Sequence, residues 1–250
     1  MGWFQKEGLL FLPGNLQWKL VNSFHATTHL GEKALQRLLE RSFRGTGLQM
    51  TVRQVVSSCP TCQLNNPKGA RRRQLAQPIQ RHGTYPAEDW QMDFIQMPVS
   101  QGYKYLLVMI GTFTGWIEGF PTQTEKTEEV VKKLLHEIVP RFGLPRSLQR
   151  DSGTSFTSKV TQGAAKALGI TYYLHCAWRP QSSGKVERAN QFLKSPIIKI
   201  TQETSLGWKE ALPIALLCTC IAPKEQVGLS PYEMLYGRPF VYISDLFLNP

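Results

Sequence analysis

Three acidic residues, far apart in the chain, have types and positions suited to binding divalent cations. Asp93 lies in the alternating stretch 90–98, which is typical of a strand, and a charge in mid-strand needs a reason. Asp151 follows an apolar-edged run, whereas Glu187 follows a Pro/Ser/Gly-rich loop and begins a segment of helical character. Two cations held by carboxylates can activate water beside a phosphodiester and stabilise the leaving oxygen. The three residues are therefore a candidate two-metal site, although a chain with 18 acidic residues contains many such triples.

A second group of metal-binding residue types lies nearer the N-terminus. His25 and His29 are four residues apart, which places both rings on one face of a helix, and Cys59 and Cys62 have the tight spacing that brings two thiolates to one tetrahedral ion. The segment between the pairs has two apolar patterns of helical spacing, and two helices there would bring the pairs together. A lone His pair is more often a surface feature, and a lone Cys-x2-Cys can be redox-active. The joint occurrence predicts a structural Zn²⁺ site, which a small helical unit needs in order to fold.

The sequence around both groups resembles that of retroviral integrases, most of all the gammaretroviral and endogenous-retroviral kind. In the core, the matching segments are WQMDF, YLLVMIGTFTGWIEGFPT, PRFGLPRSLQRDSG and RPQSSGKVERAN. Thirty-five residues separate Asp151 from Glu187, as in the family's D,D(35)E signature. The phrases FHATTHLGEKALQRLLER and CPTCQ are similar to the family's N-terminal HHCC zinc domain. The resemblance implies catalytic roles for Asp93, Asp151 and Glu187.

The periodicity of the core predicts alternating strands and helices. Strands are predicted at 90–98, 103–111, 114–121, 146–150 and 170–175, and helices at 125–139, 157–168, 183–203, 207–222 and 230–236. Three consecutive strands joined by tight turns favour an antiparallel meander, which the later strands extend in parallel. The prediction is an α/β fold with a mixed five-stranded sheet flanked by helices, preceded by a small all-α zinc-binding domain. The resemblance implies that the sheet is ribonuclease-H-like.

The chain divides into five predicted segments. They are an N-terminal extension (1–22), a three-helix HHCC zinc-binding domain (23–64), a basic linker (65–85), the integrase catalytic core (86–240) and a tail (241–250). The linker carries Arg71, Arg72 and Arg73 among Pro and Gly residues, with little periodicity. These arginines are interpreted either as phosphate contacts or as part of a solvated hinge or nuclear-import patch.

Composition favours a nucleic-acid partner and an intracellular location. The 250 residues include 29 Lys and Arg against 18 Asp and Glu, a net charge of +11, which suits a phosphate-rich partner but is also compatible with a merely basic soluble protein. No run of 18 apolar residues occurs, so we expect no membrane association and a location in the nucleus or cytoplasm. The odd count of five Cys argues against a disulfide framework, and three of them have the apolar surroundings of buried thiols: Cys176, Cys218 and Cys220.

The resemblance also implies DNA contacts around the catalytic residues. Lys194 follows Glu187 by seven residues, so both lie on one helix face, and family members use a lysine there near the reactive DNA end. The other candidate contacts are Trp178, Gln181, Ser183, Lys185 and Arg188. Each has an ordinary alternative: a hydrophobic anchor for the tryptophan, a simple turn for the loop residues, and a solvated face for the charged ones.

The activity that the resemblance implies is polynucleotidyl transfer on DNA. The substrates would be viral DNA ends, which undergo 3′-end processing, and target DNA, which accepts the strand. Mg²⁺ or Mn²⁺ would be held by the three carboxylates, one ion shared by Asp93 and Asp151 and the other by Asp93 and Glu187. Family members act as multimers, so a homo-oligomer, either a dimer or a tetramer, is expected.

Four departures from the family pattern favour an alternative. Ser152 replaces the usual Asn, Gly111 replaces the usual Asp, and Pro196 is predicted to kink or break its helix at a cost of about 3 kcal/mol. The sequence ends at Pro250 without the family's C-terminal SH3-like domain. The alternative function is that of a catalytically inactive, retrovirus-derived protein that binds nucleic acid or multimerises through helices 157–168 and 207–222.

Overall fold

The computed structural model describes residues 5–6, 9–65, 83–151, 166–175, 184–224 and 227–241. For residues 5–6, 151, 174–175 and 184–189 the description is limited to the backbone. Within these ranges no helix is long and apolar enough to cross a membrane.

The N-terminal part is a helical unit built around one apolar cluster. Its helices are α1 (Gly14–Thr28), α2 (Glu32–Leu39), α3 (Leu48–Ser58) and α4 (Pro60–Asn65), and three very short strands accompany them: β1 (Gln5–Lys6), β2 (Leu9–Phe11) and β3 (Phe43–Arg44). Leu12 and Val21 pack in the same cluster as Leu35 and Val52. The predicted boundary after residue 22 therefore falls inside α1, and residues of the predicted extension belong to the core of this unit.

The second part contains the predicted mixed five-stranded sheet. Its strands are β4 (Asp89–Ser100), β5 (Tyr103–Gly111), β6 (Ile117–Thr122), β7 (Ser147–Asp151) and β8 (Thr171–His175). Their order is β6-β5-β4-β7-β8, in which β4, β5 and β6 are antiparallel and β7 and β8 add in parallel. Strand β6 begins three residues later than predicted, because residues 112–114 form a turn and Gly115 takes a positive φ of 69°.

Helices cover both faces of the sheet. One face packs against a single helical run made of α5 (Thr127–Lys133), a π-helical turn (Leu134–Ile138) and α6 (Val139–Phe142). The other packs against α7 (Gly184–Thr204) and α8 (Trp208–Ile221), and α9 (Pro231–Tyr236) follows. The predicted helix 157–168 lies outside the described residues except for residues 166–168, of which 166 and 167 are helical.

Helix α7 continues through Pro196 as one element, so the predicted break is wrong. Leu193 and Ile197, on either side of the proline, are completely buried against the sheet. Their burial offsets the hydrogen bond that proline cannot donate to the carbonyl of Phe192. The Phe192 side chain is exposed, so water can reach that side of the helix and solvate the carbonyl.

Replacing Leu193 by Ala is expected to lower the free energy of unfolding by about 2–5 kcal/mol, because it leaves a cavity between α7 and the sheet. Phe192→Ala on the same helix is the matched control, since its side chain is exposed and its loss leaves no cavity. Urea unfolding followed by circular dichroism gives both values. Equal effects of the two substitutions would contradict the packing described for α7.

Candidate metal centres

The four predicted zinc ligands come together in the N-terminal unit. The side chains of His25, His29, Cys59 and Cys62 offer ligand atoms that all lie within 4.8 Å of one another. Helix α1 ends at Thr28, and His29 follows it in the left-handed conformation, with φ 46°. Its N–H still donates to the carbonyl of His25 at 2.7 Å, so the expected i, i+4 proximity is kept although the second ring stands just beyond the helix.

The spacing of the ligand atoms fits a tetrahedral zinc ion. Cys62 Sγ lies 3.4 Å from His25 Nε2 and 3.6 Å from His29 Nδ1, and Cys59 Sγ lies 3.8 Å from His29 Nδ1. Usual Zn–S and Zn–N bond lengths imply sulfur–nitrogen separations of about 3.6 Å in a tetrahedron. With four protein ligands the coordination is closed, as in structural rather than catalytic zinc sites.

Burial keeps two of the four predicted zinc ligands, His25 and Cys62, uncharged at neutral pH. Burial, together with the neighbouring His29, lowers the pKa of His25 to about 4, so its ring is neutral and available as a ligand. Burial raises the pKa of the Cys62 thiol to about 11, although nearby Lys199 opposes this. The thiol must therefore lose its proton when a metal binds, which makes metal affinity fall as the pH falls.

Two of the three predicted carboxylate positions are neighbours in the sheet. Strands β4 and β7 are parallel neighbours with Met92 opposite Arg150, so Asp93 and Asp151 follow at the next position of adjacent strands. Asp93 lies on the sheet face that packs against α7, the face that also carries Ile95. Met92 packs on the opposite face of the sheet, so the predicted alternation of Met92 and Asp93 between the two faces is confirmed.

Helix α7 brings a further polar residue to Asp93. Asn190 Nδ2 donates to Asp93 Oδ2 at 2.8 Å, while the backbone N–H of Phe94 donates to Asp93 Oδ1 at 2.8 Å. These two bonds orient the carboxylate. Sequence reasoning did not identify Asn190, although its position three residues after Glu187, on the expected helix, was a usable signal.

The other candidate residues stand as follows. Lys194 is exposed on α7. Lys185, Glu187 and Arg188 lie in the first turns of the same helix, where only the backbone is described. Several predicted positions lie outside the described residues: Arg71, Arg72, Arg73, Ser152, Cys176, Trp178, Gln181 and Ser183. Cys218 and Cys220 are buried as predicted.

Comparison with known proteins matches both parts of the chain. Residues 25–63 match the family model described as H2C2 zinc finger, and residues 83–180 match the one described as Integrase core domain. The chain is 44% identical over 245 residues to the Gag-Pol polyprotein of baboon endogenous virus (strain M7), covering 94% of this chain and 14% of that polyprotein. It is 42% identical over 242 residues to the Gag-Pol polyprotein of avian reticuloendotheliosis virus, covering 94% of this chain and 20% of that protein.

A solved structure has the same fold. A chain in the cryo-EM structure of the simian T-cell lymphotropic virus intasome in complex with PP2A regulatory subunit B56 gamma superposes with a TM-score of 0.60 at 26% identity, covering 89% of this chain and 77% of that one. The mixed sheet flanked by helices is thus the integrase-like, ribonuclease-H-like fold. The chain therefore combines a match to the H2C2 zinc finger with a match to the integrase core domain, and it is similar to retroviral Gag-Pol polyproteins, of which it spans a fifth or less.

Proposed function

We propose that this chain is a metal-dependent polynucleotidyl transferase that acts on DNA, with Asp93, Asp151 and Glu187 as the cation ligands. The observation that carries the proposal is the hydrogen bond from Asn190 to Asp93, because it ties α7 to the strand beside Asp151. Residues three apart share a helix face, so position 187 lies on the same face of α7 as Asn190, which hydrogen-bonds to Asp93 on the sheet.

The chain's own residues prepare the site for phosphoryl transfer. Bound Mg²⁺ or Mn²⁺ would activate the attacking oxygen and stabilise the leaving one. Asn190 and the Phe94 N–H hold the Asp93 carboxylate in one orientation, so the side chain needs less reorganisation when a cation binds. Lys194, exposed seven residues after Glu187, is available to contact a phosphate of the DNA.

Two successive displacements at phosphorus make up the proposed reaction. In the first, water attacks a phosphodiester near the viral end, and the bond to the 3′ oxygen breaks to leave a free 3′-hydroxyl. In the second, that hydroxyl attacks a phosphate of target DNA and displaces the neighbouring 3′ oxygen. The net charge of +11 suits a protein that holds both DNAs mainly by their backbones.

A homo-oligomer is the proposed working form. Helix α8 exposes Ile214 and Leu217, and α7 exposes Phe192 and Ile198 on the same side of the sheet. Apolar side chains exposed together favour contact with another protein surface. The solved relative belongs to an intasome, which supports the same proposal.

The exposed apolar side chains also favour the alternative function, a catalytically inactive protein that binds nucleic acid or multimerises. Under this alternative, DNA binding survives the loss of Asp93 or Glu187, and no strand transfer is detected.

Disintegration of a branched DNA oligonucleotide tests the proposal. The full chain is expected to resolve the branched strands with Mg²⁺ or Mn²⁺ and not with EDTA, with Glu187→Gln as the control for contaminating nuclease. Equal resolution by the parent and the variant, or no resolution alongside retained DNA binding, would reject the transferase and favour the non-catalytic alternative.

A further inference from the structure

A carboxylate from the catalytic core contacts a predicted zinc ligand. Glu203 Oε2 of α7 lies 2.7 Å from His29 Nε2, and the two residues are 174 positions apart in the chain. The His29 side chain is 2% exposed and that of Glu203 34% exposed, so the histidine side of the contact is buried away from solvent.

The contact uses the ring nitrogen that faces away from the cluster. His29 Nδ1 is the nitrogen directed at the sulfur atoms of Cys59 and Cys62. A ring whose Nδ1 binds a metal carries its proton on Nε2, so that Nε2–H donates to the Glu203 carboxylate. Such a bond fixes the tautomer and the ring orientation and makes the imidazole a stronger ligand.

The position of Glu203 is unfavourable by the standards of an isolated helix. It lies one residue before the end of α7, where the helix dipole disfavours a carboxylate, and no basic residue occupies the last turn. A partner outside the helix offsets this, and His29 is that partner.

Other contacts join the zinc unit to the same side of the core. Asn65 Nδ2 donates to Gln202 Oε1 at 2.6 Å, and the buried Lys199 donates to the His29 carbonyl at 3.4 Å. Farther away, Arg41 Nη1 pairs with Glu233 Oε2 at 2.6 Å. The zinc unit is thus seated on the C-terminal half of α7, the helix whose N-terminal half carries Glu187 and Asn190.

We infer that Glu203 is a positioning residue for the zinc ligand His29, so that zinc binding and docking of the N-terminal unit on α7 strengthen each other. Coupling of this kind is reciprocal, because whatever docking adds to zinc affinity, zinc adds to docking. The inference requires zinc in the cluster but not strand-transfer activity.

Zinc affinity measured on the full chain tests the inference. In competition with a chromophoric zinc chelator, Glu203→Ala is expected to weaken zinc binding about 10–100-fold, the usual effect of removing a carboxylate partner of a ligand histidine. Glu203→Gln keeps a neutral acceptor and is expected to show a smaller loss. The matched control is Glu137→Gln, which removes one charge on the opposite face of the sheet and is expected to leave zinc affinity unchanged.

Hydrogen exchange separates this role from general destabilisation. In the parent, adding zinc is expected to slow exchange of the amides in the C-terminal half of α7, after Pro196, and in Glu203→Ala more zinc is required for the same protection. Unchanged protection of β4 and β5 shows that the variant core is folded. Equal zinc affinity in the parent and Glu203→Ala overturns the inference, as does zinc-independent exchange of that half of α7.

Discussion

Replacing Asp93 by Asn, or Glu187 by Gln, is expected to lower the rate constant for resolving branched DNA at least about a thousandfold. A catalytic metal contributes several kcal/mol to transition-state stabilisation, and each 1.36 kcal/mol is about tenfold in rate. Single-turnover kinetics at saturating Mg²⁺ measure the chemical step directly. DNA affinity is expected to change little, because backbone contacts by basic residues supply most of it.

The structure makes Asp93→Asn an informative substitution. An amide keeps the size of the carboxylate and an oxygen that can accept from the Phe94 N–H, so we expect the variant to fold. Glu128→Gln is the matched control, because Glu128 is exposed on α5, across the sheet from α7. Full activity of Asp93→Asn would remove this residue from the catalytic site, whereas equal losses in Asp93→Asn and the control would indicate a nonspecific charge effect.

Removing zinc, by chelation or by Cys62→Ser, is expected to unfold residues 9–65 while the core stays folded. Structural zinc contributes about 10–16 kcal/mol of apparent folding free energy in small metal domains. The apolar cluster of the N-terminal unit is small, and its four ligand side chains lose their common partner without the ion. Hydrogen exchange resolved by peptide, with and without chelator, measures both parts of the chain in one experiment.

Cys220→Ala is the matched control for the thiol substitution. The Cys220 sulfur is buried, contacts the Ile117 carbonyl and does not belong to the four-residue cluster, so we expect one zinc per chain to be retained. Protection of residues 9–65 that persists after zinc removal would show that the unit folds without the metal. Loss of zinc in Cys220→Ala would instead place a ligand outside the predicted four.

The sequence was informative wherever the deciding interactions are short-range. The spacing of apolar residues indicates which face of a strand or helix is buried. It predicted the five strands of the sheet and the helices α7 and α8 to within a few residues. Ligand spacing works in the same way, because His25 and His29, with three residues between them, and Cys59 and Cys62, with two, each span about one turn of chain. For this reason the sequence alone predicts a zinc set whose four residues lie together in the fold.

The errors lie where packing overrides a local rule. The local rule predicts that Pro196 kinks or breaks α7, but the helix does not break there, and Leu193 and Ile197 are buried on either side of the proline. The boundary after residue 22 was placed by local composition, whereas α1 extends from Gly14 because Val21 completes the cluster with α2 and α3. In both cases the deciding contacts come from residues distant in sequence.

The sequence by itself determined the order of the elements and brought four residues to one candidate zinc cluster, while the carboxylate set and its chemistry remain predictions. Only the tertiary structure decided which residues support those ligands. Asn190 reaches Asp93 across 97 positions and Glu203 reaches His29 across 174, and no periodicity encodes separations of that length. The physical reason is that both partners are supplied by α7, whose place between the sheet and the zinc unit is set by burial of its apolar stripe and not by any local motif.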